Sequence, residues 1–396
     1  MRNSTVHDLP ILIIGAGVAG LTLAQGLRLR SIYFRLFERY PRSRASQGHR
    51  FRISNDGQAA LNSVLSPQLQ DLLRNTAAKA QCFEPRYVDP RKLDFAKPMP
   101  VNPGSMPVDR TLIRMLTSLD IEDSIEYDKE FESYNVTDEQ VQVKFADGSM
   151  VCGQLLVGAD GVRSRVRKQL QPNRKLLDLE RWILWGRTPL TEDLRRDLPQ
   201  DILSWCMYMD QDANVQAVVE PMVWPQSVRQ ESKARLPDFP DYVYWCVGTA
   251  SFQYSERLPK TVEEKRLFLK EATKDWHPAL KLLFDSAAHD LSACVPILSS
   301  KPDIEIGSAS QTGRVTLIGD AAHAMSPMGG SGGDTAIRSA ADLARTVAEE
   351  GITKRSIAEF EARMEERARM KIEHSFSGGR KYWRGKQWTE YTEVDV

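Results

Sequence analysis

The sequence predicts an α/β protein with a parallel β-sheet and a separate antiparallel β-sheet. Near the N-terminus a short apolar run is followed by glycines and then by leucines and alanines at helical spacing, which is typical of a strand, a tight turn and a helix. Similar strand-and-glycine blocks recur near residues 158 and 319. Between residues 179 and 296 the apolar residues alternate instead, and most of the tryptophans lie there, which favours antiparallel strands.

The first element is a βαβ unit with a glycine-rich turn. An apolar strand precedes Gly15-Ala-Gly17-Val-Ala-Gly20, a helical pattern follows it, and the next strand ends at Glu38. The first glycine permits the tight turn, the second lets a pyrophosphate approach the backbone, and the third lets the helix pack close to the strand. The pyrophosphate then lies at the helix N-terminus, and Glu38 accepts hydrogen bonds from a ribose. A glycine turn that binds nothing is the alternative.

Two later blocks place a carboxylate beside glycine. A predicted hairpin over residues 141–157 leads into a Gly-Ala-Asp-Gly block around Asp160, with arginines just after it. A buried strand over residues 315–318 leads into a Gly-Asp pair at Asp320 and then into a helix. The nucleotide-binding character therefore recurs at three places far apart in the chain.

The composition excludes several classes of partner. The 396 residues include 53 Lys+Arg and 53 Asp+Glu, so the formal net charge is zero. Proteins that bind nucleic acid or anionic membranes concentrate positive charge, and we therefore expect neither partner. A chain of this length has room for two or three domains around a large core.

The cysteines and the first apolar run bear on location. Five widely spaced cysteines without a CxxC pair predict neither a disulfide framework nor a metal site, so we expect a reducing, cytoplasmic location. The run from Leu9 to Leu27 has 19 uncharged residues, which approaches the length of a membrane span, but four glycines interrupt it. We therefore expect no membrane span.

The three blocks, in this order, resemble the single-component (group A) FAD-dependent monooxygenases of the para-hydroxybenzoate hydroxylase type. Residues 48–53, Gly-His-Arg-Phe-Arg-Ile, resemble a variant found in members that tailor natural products. The resemblance implies a Rossmann-like FAD-binding domain with GxGxxG, DG and GD motifs, a discontinuous antiparallel β-sheet domain for the substrate, and C-terminal helices. It covers most of the chain except the middle sheet and the tail.

The resemblance and the pattern together imply domain boundaries. The FAD-binding domain is expected to comprise residues 1–78, 105–178 and 297–350, the substrate domain residues 79–104 and 179–296, and the C-terminal helix and tail residues 351–396. Alternating Glu and Arg from residue 356 to residue 374 predict a solvated helix, and the tail beyond it is expected to be loosely ordered. The charged stretch 226–238 predicts an exposed loop.

The chemistry that the resemblance implies is monooxygenation. FAD stays bound without a covalent link, NAD(P)H reduces it as a transient co-substrate, and O₂ forms a C4a-hydroperoxyflavin. This species hydroxylates or epoxidises a small, largely apolar or aromatic substrate, as in secondary metabolism. No second GxGxxG follows a strand, so NAD(P)H is expected to bind in a groove. The sequence leaves open the substrate, the choice between NADH and NADPH, and the oligomeric state.

The resemblance also assigns cofactor contacts. Glu38 is implied as the ribose ligand, Asp160 as a residue shared by FAD and the passing nicotinamide nucleotide, and Asp320 as a partner of the ribityl chain. Residues 327–333 match the P-x-x-G-x-G stretch that lies against the isoalloxazine, where a helix start directs N–H groups at the ring. The full set of expected cofactor contacts is Gly15, Gly17, Gly20, Glu38, Arg39, Arg50, Arg110, Asp160, Asp320, Pro327, Gly330, Gly332 and Gly333.

Two positions depart from the family pattern. The family usually has Asn and, five residues later, Asp, whereas this chain has Asp334 and Ser339. We therefore expect the helix below the flavin to dock differently.

Arg187 is the candidate catalytic residue. It lies on the strand that opens the middle sheet, and in the family an arginine on that strand often points towards flavin and substrate. We expect Arg187 to orient or protonate the substrate, and a surface ion pair is the alternative. Arg50 and Arg52 share one strand face that meets flavin or substrate, or else forms a solvated edge. His323 is expected to have a structural role beside the cofactor.

Other functions fit parts of the sequence. The W-x-W-x-I-P stretch of flavin-dependent halogenases is absent. A flavin-dependent reductase of an unsaturated, prenyl-type substrate would use the same cofactor blocks without oxygen chemistry, and a non-catalytic module would only bind flavin. A hydrolase would use Ser331, Asp342 and His374, but Ser331 lies thirteen residues beyond Ile318, too far from the strand for a nucleophile elbow.

Overall fold

The computed structural model describes residues 9–43, 48–79, 86–98, 104–306 and 312–396. The β-strands are β1 (Ile11–Ile14), β2 (Phe34–Phe37), β3 (Arg50–Ile53), β4 (Arg86–Asp89), β5 (Asp94–Pro98), β6 (Met106–Asp109), β7 (Ile125–Glu126), β8 (Phe131–Val136), β9 (Val141–Phe145), β10 (Met150–Gly153), β11 (Leu155–Gly158), β12 (Leu176–Pro189), β13 (Cys206–Asp210), β14 (Val215–Met222), β15 (Tyr242–Ala250), β16 (Ala293–Ser299), β17 (Val315–Leu317) and β18 (Thr392–Val394). The α-helices are α1 (Val18–Leu29), α2 (Asn55–Asn62), α3 (Pro67–Thr76), α4 (Arg110–Ser118), α5 (Arg165–Leu170), α6 (Glu192–Asp197), α7 (Val228–Glu231), α8 (Val262–Ala272), α9 (Pro278–Asp285), α10 (Asp320–His323), α11 (Gly332–Glu350) and α12 (Lys354–Trp383). Within the described ranges, every helix is too short or too polar to cross a membrane.

Five parallel strands form the sheet that the N-terminal block predicts. Their order is β17–β11–β1–β2–β7, so the three strands that precede the glycine blocks lie side by side. All four residues of β1 are buried, as expected of a central parallel strand. α1 packs against α11 at Gly26, where a Cβ would lie 2.6 Å from the Cβ of Ala344. The predicted α/β class is confirmed.

The second large sheet is the antiparallel one predicted for the middle of the chain. Its strand order is β16–β12–β15–β14–β13–β4–β5, and β18 pairs with β12. Among the described strands of this sheet, β4 and β13 pair in parallel and all other pairs are antiparallel. Alternation gives it two different faces. On one face Leu184, Val219 and Trp245 pack against apolar residues of α8 and α9. The other face carries the charged residues described in the next subsection.

The hairpin predicted over residues 141–157 is only partly correct. β9 pairs with β10 in a three-stranded sheet with β8, whereas β11 belongs to the parallel sheet. The chain changes sheets at Gly153, where a Cβ would lie 2.5 Å from the Leu12 side chain and 2.7 Å from the Pro10 carbonyl oxygen. Because the backbone passes this close to β1, only glycine fits at the break.

The C-terminal region is longer and more ordered than its charge pattern predicts. α12 extends to Trp383, beyond the expected end at residue 374. The tail was expected to be loosely ordered, but it ends in β18, which pairs with a segment of β12 that β15 does not reach. Glu393 of β18 also forms an ion pair with Lys301. The tail is ordered because the backbone groups of β18 form hydrogen bonds with the part of β12 that does not pair with β15.

A buried glutamate on α12 makes the stability of the fold depend on pH. Glu361 is 2% exposed, its Oε1 accepts a hydrogen bond from the Thr316 hydroxyl (2.7 Å), and burial raises its pKa from 4.5 to about 7. When the pKa of a group is higher in the folded protein than in the unfolded chain, the group's contribution to stability is fully present below the unfolded-state pKa. That contribution is lost as the pH rises through the folded-state pKa. We therefore expect Glu361→Gln to gain about 3 kcal/mol in unfolding free energy relative to the wild type between pH 5 and pH 8. Thermal unfolding of both proteins over this range measures the gain, and parallel pH curves would contradict it.

Candidate cofactor and active site

The three glycine-containing blocks meet at the carboxyl edge of the parallel sheet. Gly15 follows β1 with φ +108°, and a Cβ there would lie 2.5 Å from the carbonyl oxygen of Ala159, which follows β11. Gly319 follows β17 with φ +62°, and a Cβ there would lie 2.8 Å from the Cβ of Ala19 in the first turn of α1. At both positions the backbone has a positive φ and a Cβ would overlap a neighbouring atom. Gly15 and Gly319 therefore cannot be replaced by a residue with a side chain without strain.

A cavity of about 680 Å³ opens at this edge. The first N–H groups of α1 are open to an anion, because Gly17 provides no side-chain cap. The expected cofactor contacts that line the cavity are Gly15, Gly17, Glu38, Arg39, Arg110 and Asp160. Gly20 instead packs inside the turn, where a Cβ would lie 2.0 Å from the Gly15 carbonyl oxygen.

The charged stretch 226–238 is exposed at most positions, as predicted, but it contains the short helix α7 and two buried apolar residues. Val228 is 1% exposed and Leu236 is 2% exposed, and α7 packs against α3. Arg235 and Leu236 also line the cavity. The two apolar side chains anchor the segment, which therefore contributes to the site.

Glu38 lies just beyond β2 and holds the glycine turn in place. Its Oε2 accepts a hydrogen bond from the N–H of Ala16 (2.9 Å), and its Oε1 accepts one from the N–H of Tyr40 (3.1 Å). A carboxylate oxygen can accept more than one hydrogen bond, so a ribose can still be bound. The ribose contact remains a prediction, and the structure adds a second role in shaping the turn.

Arg110 connects the cavity to Asp320. The buried Nε of Arg110 has no hydrogen-bond partner among the described residues. The Asp320 side chain is exposed, the protein around it raises its pKa, and the positive charge of Arg110 opposes that shift. Within the described part of the chain, no hydrogen bond contributes to the pKa of Asp320. The two side chains are thus near enough to interact electrostatically, and the Nε of Arg110 has hydrogen-bonding capacity left for a ligand.

Arg114 is a cavity residue that sequence reasoning missed. Its Nε donates to the carbonyl oxygen of Ala16 (3.1 Å), and burial lowers its pKa while the charge of Glu38 opposes the shift. Arg114 lies four residues after Arg110 on α4, so both side chains extend from the same face of the helix. That spacing was the available signal.

Asp160 caps the helix that follows it. Its carboxylate accepts hydrogen bonds from the Ser164 hydroxyl and from the N–H groups of Arg165 (2.8 Å) and Val166 (3.3 Å). Burial raises the pKa of Asp160, and these hydrogen bonds oppose the shift. Asp160 thus holds the loop at the cavity wall, and its contact with nucleotides remains a prediction.

The stretch predicted to meet the isoalloxazine forms a tight turn before α11. A 3₁₀ turn over Pro327–Gly329 leads to Gly330, which has φ +60°, and α11 begins at Gly332 without a side-chain cap. Gly333 packs on Phe51 of β3, where a Cβ would lie 2.7 Å from the ring. The uncapped start leaves N–H groups of α11 open to a ligand.

The two departures from the family pattern both have partners. Asp334 is 4% exposed, and its Oδ1 accepts hydrogen bonds from the N–H and the hydroxyl of Ser54, both at 2.8 Å. The Ser339 hydroxyl lies 3.1 Å from Nε2 of His323. Burial lowers the pKa of His323 to about 4. Asp334 therefore fastens the segment between β3 and α2 to α11. The buried, neutral His323 fits the structural role expected of it.

Arg50 and Arg52 share one face of β3, and both bind Glu220 of β14. The ion pairs measure 2.5 Å for Arg50 and 2.6 Å for Arg52, and the Glu220 side chain is 1% exposed. Arg50 also lies over the Tyr244 ring, 4.8 Å from its centroid. The alternative of a solvated edge is therefore wrong, because the two arginines attach β3 to the antiparallel sheet. Contact between Arg50 and the cofactor remains a prediction.

Arg187 lies in a buried polar network. Its Nε donates to Nδ1 of His49 (2.8 Å), its Nη2 lies 3.3 Å from Asp109, and its guanidinium lies 4.3 Å from the Tyr242 ring centroid. The Tyr242 hydroxyl also donates to Asp109 (2.7 Å). Burial, with the charges of Arg187 and Arg110, lowers the pKa of His49 to about 3, so its imidazole is neutral. The alternative of a surface ion pair is wrong, because the Arg187 side chain is only 17% exposed.

The hydrolase alternative is also wrong. The Ser331 hydroxyl donates to the Gly329 carbonyl oxygen (2.9 Å). The Asp342 carboxylate, the acid that a triad would need, accepts hydrogen bonds from Arg345, Arg363 and Arg367.

These donors and acceptors suit FAD. The open start of α1, with Arg110 and Arg114 nearby, suits a pyrophosphate. The carboxylate of Asp320 suits the hydroxyl groups of a ribityl chain, and the open start of α11 suits the electron-rich edge of a flavin ring.

Comparisons with known proteins agree with this fit. The model of the FAD binding domain family matches residues 8–234 and 305–370. The dual O-methyltransferase/FAD-dependent monooxygenase elcB of Phaeosphaeria nodorum is 31% identical over 382 residues, which are 86% of this chain and 40% of that protein. The aurachin C monooxygenase/isomerase of Stigmatella aurantiaca is 27% identical over 91% of this chain and 86% of its own length. The structure of Klebsiella pneumoniae HpxO complexed with FAD and uric acid has a TM-score of 0.77 at 19% identity, covering 98% of this chain and 93% of that one.

The length of the relatives limits what their names imply. The chain spans about half the length, 40 to 47%, of the first curated relatives that it matches. The family match nevertheless covers well over half of this chain and includes all three glycine-containing blocks. The chain therefore belongs to the FAD binding domain family, with FAD as its cofactor and FAD-dependent monooxygenases as its relatives.

Proposed function

We propose that this protein is an FAD-dependent monooxygenase of secondary metabolism. It uses NAD(P)H and O₂ to hydroxylate or epoxidise a small, largely apolar or aromatic organic molecule. We further propose that it works in the cytoplasm, without a nucleic-acid partner.

The observation that carries the proposal is the position of residues 327–333, which we call the predicted flavin turn. The start of α11 contacts β3 at Phe51, and β3 is attached through Glu220 to the antiparallel sheet. The turn therefore lies beside one face of that sheet, where a substrate can be enclosed between the two. Relatives named as FAD-dependent monooxygenases support the same conclusion.

FAD, when bound, supplies the electron transfer and oxygen activation that no side chain provides. The chain's share is binding, orientation and the exclusion of water. In this proposal residues 1–78, 105–178 and 297–350 hold FAD, and residues 79–104 and 179–296 cover the substrate. The first turn of α11 places N–H groups where negative charge accumulates on a reduced flavin.

Oxygen dependence tests the proposal. NAD(P)H oxidation by the FAD-loaded protein is measured in air and under nitrogen, with and without candidate aromatic compounds. We expect stimulated oxidation in air, one labelled oxygen atom in the product when ¹⁸O₂ is used, and no continued turnover under nitrogen. Sustained turnover under nitrogen would indicate a reductase instead, and failure of NAD(P)H to reduce the flavin would indicate a binding module.

Loss of the Arg187 side chain should separate FAD binding from coupling. We expect Arg187→Ala to keep its FAD, because Arg187 contacts His49, Asp109 and Tyr242 rather than the glycine blocks, but to convert more NAD(P)H into hydrogen peroxide and less into product. Asp109 would lose its ion pair while keeping its hydrogen bond from Tyr242, so stability should fall by about 2 kcal/mol. FAD absorbance, peroxide yield and thermal unfolding measure the three effects.

Arg195→Ala is the matched control, because Arg195 is 40% exposed in its ion pair with Asp241. It should behave like the wild type. Unchanged coupling in Arg187→Ala would reduce Arg187 to a structural residue.

A further inference from the structure

Arg187 is held in place by side chains that do not belong to its own sheet. It lies on β12 of the antiparallel sheet, whereas His49 directly precedes β3 and Asp109 is the last residue of β6. β3 and β6 pair with each other in a separate two-stranded sheet, within the ranges that we propose to hold FAD. The orientation of the Arg187 guanidinium is therefore set from the cofactor side of the molecule.

His49 contributes a hydrogen-bond acceptor to this arrangement. The Nε of Arg187 donates to Nδ1 of His49 at 2.8 Å, and only an imidazole nitrogen without a hydrogen can accept. The hydrogen of the neutral ring is therefore on Nε2. Burial and the charges of Arg187 and Arg110 lower the pKa of His49 to about 3, so the ring keeps its Nδ1 lone pair at neutral pH. Because His49 is only 3% exposed, water competes little for that lone pair.

Asp109 compensates the charge of Arg187 but constrains its direction less. The 3.3 Å between Asp109 and Nη2 of Arg187 exceeds the distance of about 2.7–2.9 Å that is usual for a charge-assisted hydrogen bond. The same carboxylate accepts a hydrogen bond from the Tyr242 hydroxyl (2.7 Å) and two from N–H groups in the first turn of α4 (2.7 and 3.0 Å). The position of the carboxylate thus depends mainly on these other donors. Of the two contacts, the shorter one with His49 fixes the guanidinium.

The contact with His49 also limits the directions of the unused N–H groups of Arg187. A guanidinium is planar and has five N–H donors in a rigid arrangement, so anchoring one of them restricts the others. Among the described residues, His49 accepts from Nε, Asp109 accepts from Nη2, and none accepts from Nη1. The Tyr242 ring, whose centroid lies 4.3 Å from the guanidinium, limits its tilt. The N–H groups of Nη1 are consequently available to a ligand, in an orientation that His49 maintains.

The backbone of His49 is itself attached to the wall of the cofactor cavity. Its carbonyl oxygen accepts a hydrogen bond from the N–H of Arg110 (2.8 Å), a residue that lines the cavity. The preceding residue, Gly48, has φ +87°, and a Cβ there would lie 3.2 Å from Cδ of Arg110. His49 therefore contacts Arg110 through its backbone and Arg187 through its side chain.

We propose that His49 is the positioning residue for Arg187, and that its Nδ1 lone pair keeps the guanidinium in the orientation in which the Nη1 N–H groups meet the substrate. The inference rests on the proposed function, in which Arg187 orients the substrate beside FAD. In this role His49 acts only through Arg187. No proton is transferred between them, because the hydrogen of the ring stays on Nε2 and the guanidinium stays charged.

Nuclear magnetic resonance of the FAD-loaded protein, labelled with [¹⁵N]arginine, tests this role without a substrate. The Nε–H signal of Arg187 is identified by its absence from Arg187→Lys. In the wild type this hydrogen should exchange slowly with water, because it is bonded to Nδ1 of the buried His49. In His49→Leu, which removes the acceptor, the exchange should be at least about tenfold faster, the usual value of one hydrogen bond to a charged group.

Three further variants separate positioning from packing. His49→Asn should keep the slow exchange, because its amide oxygen is attached to Cγ as Nδ1 is and can accept the same hydrogen bond. His49→Gln should resemble His49→Leu, because its amide oxygen lies one bond further from the backbone. His289→Leu is the matched control, since His289 is also 3% exposed but lies on the other face of the sheet, beside Trp245. It should leave the Arg187 signal unchanged.

Peroxide yield during NAD(P)H oxidation links the contact to function. We expect His49→Leu to raise the yield, as Arg187→Ala does, and His49→Asn to leave it near the wild-type value. The double variant His49→Leu/Arg187→Ala should give the yield of Arg187→Ala alone, because His49 acts through Arg187.

The inference is overturned if exchange stays slow in His49→Leu and His49→Gln, or if His49→Asn exchanges as fast as they do. It is also overturned if the effects of the two substitutions on peroxide yield add in the double variant. Absence of oxygen-dependent NAD(P)H oxidation in the wild type would contradict the proposed function instead. The exchange rates would then still show whether His49 holds the guanidinium.

Discussion

Replacement of Gly15 by alanine is expected to destabilise the protein and abolish FAD binding together. A residue with a Cβ is strained at φ +108°, and that Cβ would lie 2.5 Å from the carbonyl oxygen of Ala159. Relief of the overlap requires β1 and β11 to separate at the site. Strain and overlap together should cost about 3–5 kcal/mol. Thermal unfolding of the FAD-free protein and flavin absorbance after desalting measure the two losses.

Gly17→Ala is the matched control two residues away. Gly17 has φ −79° in extended backbone, and its Cβ would have no atom within 4 Å. The FAD-free variant should therefore unfold within about 0.5 kcal/mol of the wild type. Its FAD affinity should still fall at least about tenfold, because the methyl group occupies the approach of the pyrophosphate. Wild-type affinity in Gly17→Ala would show that the pyrophosphate does not approach the backbone there.

Asp320→Ala should give a folded but largely colourless protein. This carboxylate is exposed, the protein around it raises its pKa, and no hydrogen bond from the described residues contributes to that pKa. Its removal should therefore leave the FAD-free protein as stable as the wild type or slightly more so. Loss of hydrogen bonds from a charged group to the ribityl chain should weaken FAD binding by about 1.5–3 kcal/mol, or about 10- to 150-fold.

Asp303→Ala serves as the control, because Asp303 is an exposed carboxylate that does not line the cavity at the glycine blocks. It should retain full flavin absorbance after desalting. Full absorbance in Asp320→Ala as well would contradict the assignment of Asp320 to the cofactor. A fall in thermal stability of the FAD-free Asp320→Ala protein would instead indicate a structural role.

The cofactor side of the site was largely predictable, because it is built from local backbone geometry. A strand, a glycine turn and a helix start are encoded within about twenty residues, and the turn after β1 forms as the sequence predicts. Because β1, β11 and β17 are parallel neighbours, their carboxyl ends necessarily lie at the same edge of the sheet. Arg114 could have been added from its helical spacing with Arg110.

The substrate side was predictable only in part. Alternation placed Arg50 and Arg52 on one face of a strand, but it could not identify Glu220, 168 residues after Arg52, as their partner. For Arg187 the sequence left two interpretations open, and the contacts with His49 and Asp109 exclude the surface ion pair. The prediction of a loosely ordered tail was wrong, because alternating charges indicate only that a helix surface is solvated. They carry no information about the distant strand β12, with which the tail pairs.

By itself, then, the sequence determined the α/β class, the glycine turns and the two kinds of sheet, since all of these follow from backbone preferences and side-chain periodicity over short stretches. Only the tertiary structure decided which charged groups are neutralised, that Glu220 is the partner of Arg50 and Arg52, and that the tail pairs with β12. These features depend on which surfaces pack together, and the energy of a buried contact depends on its neighbours in space rather than in sequence.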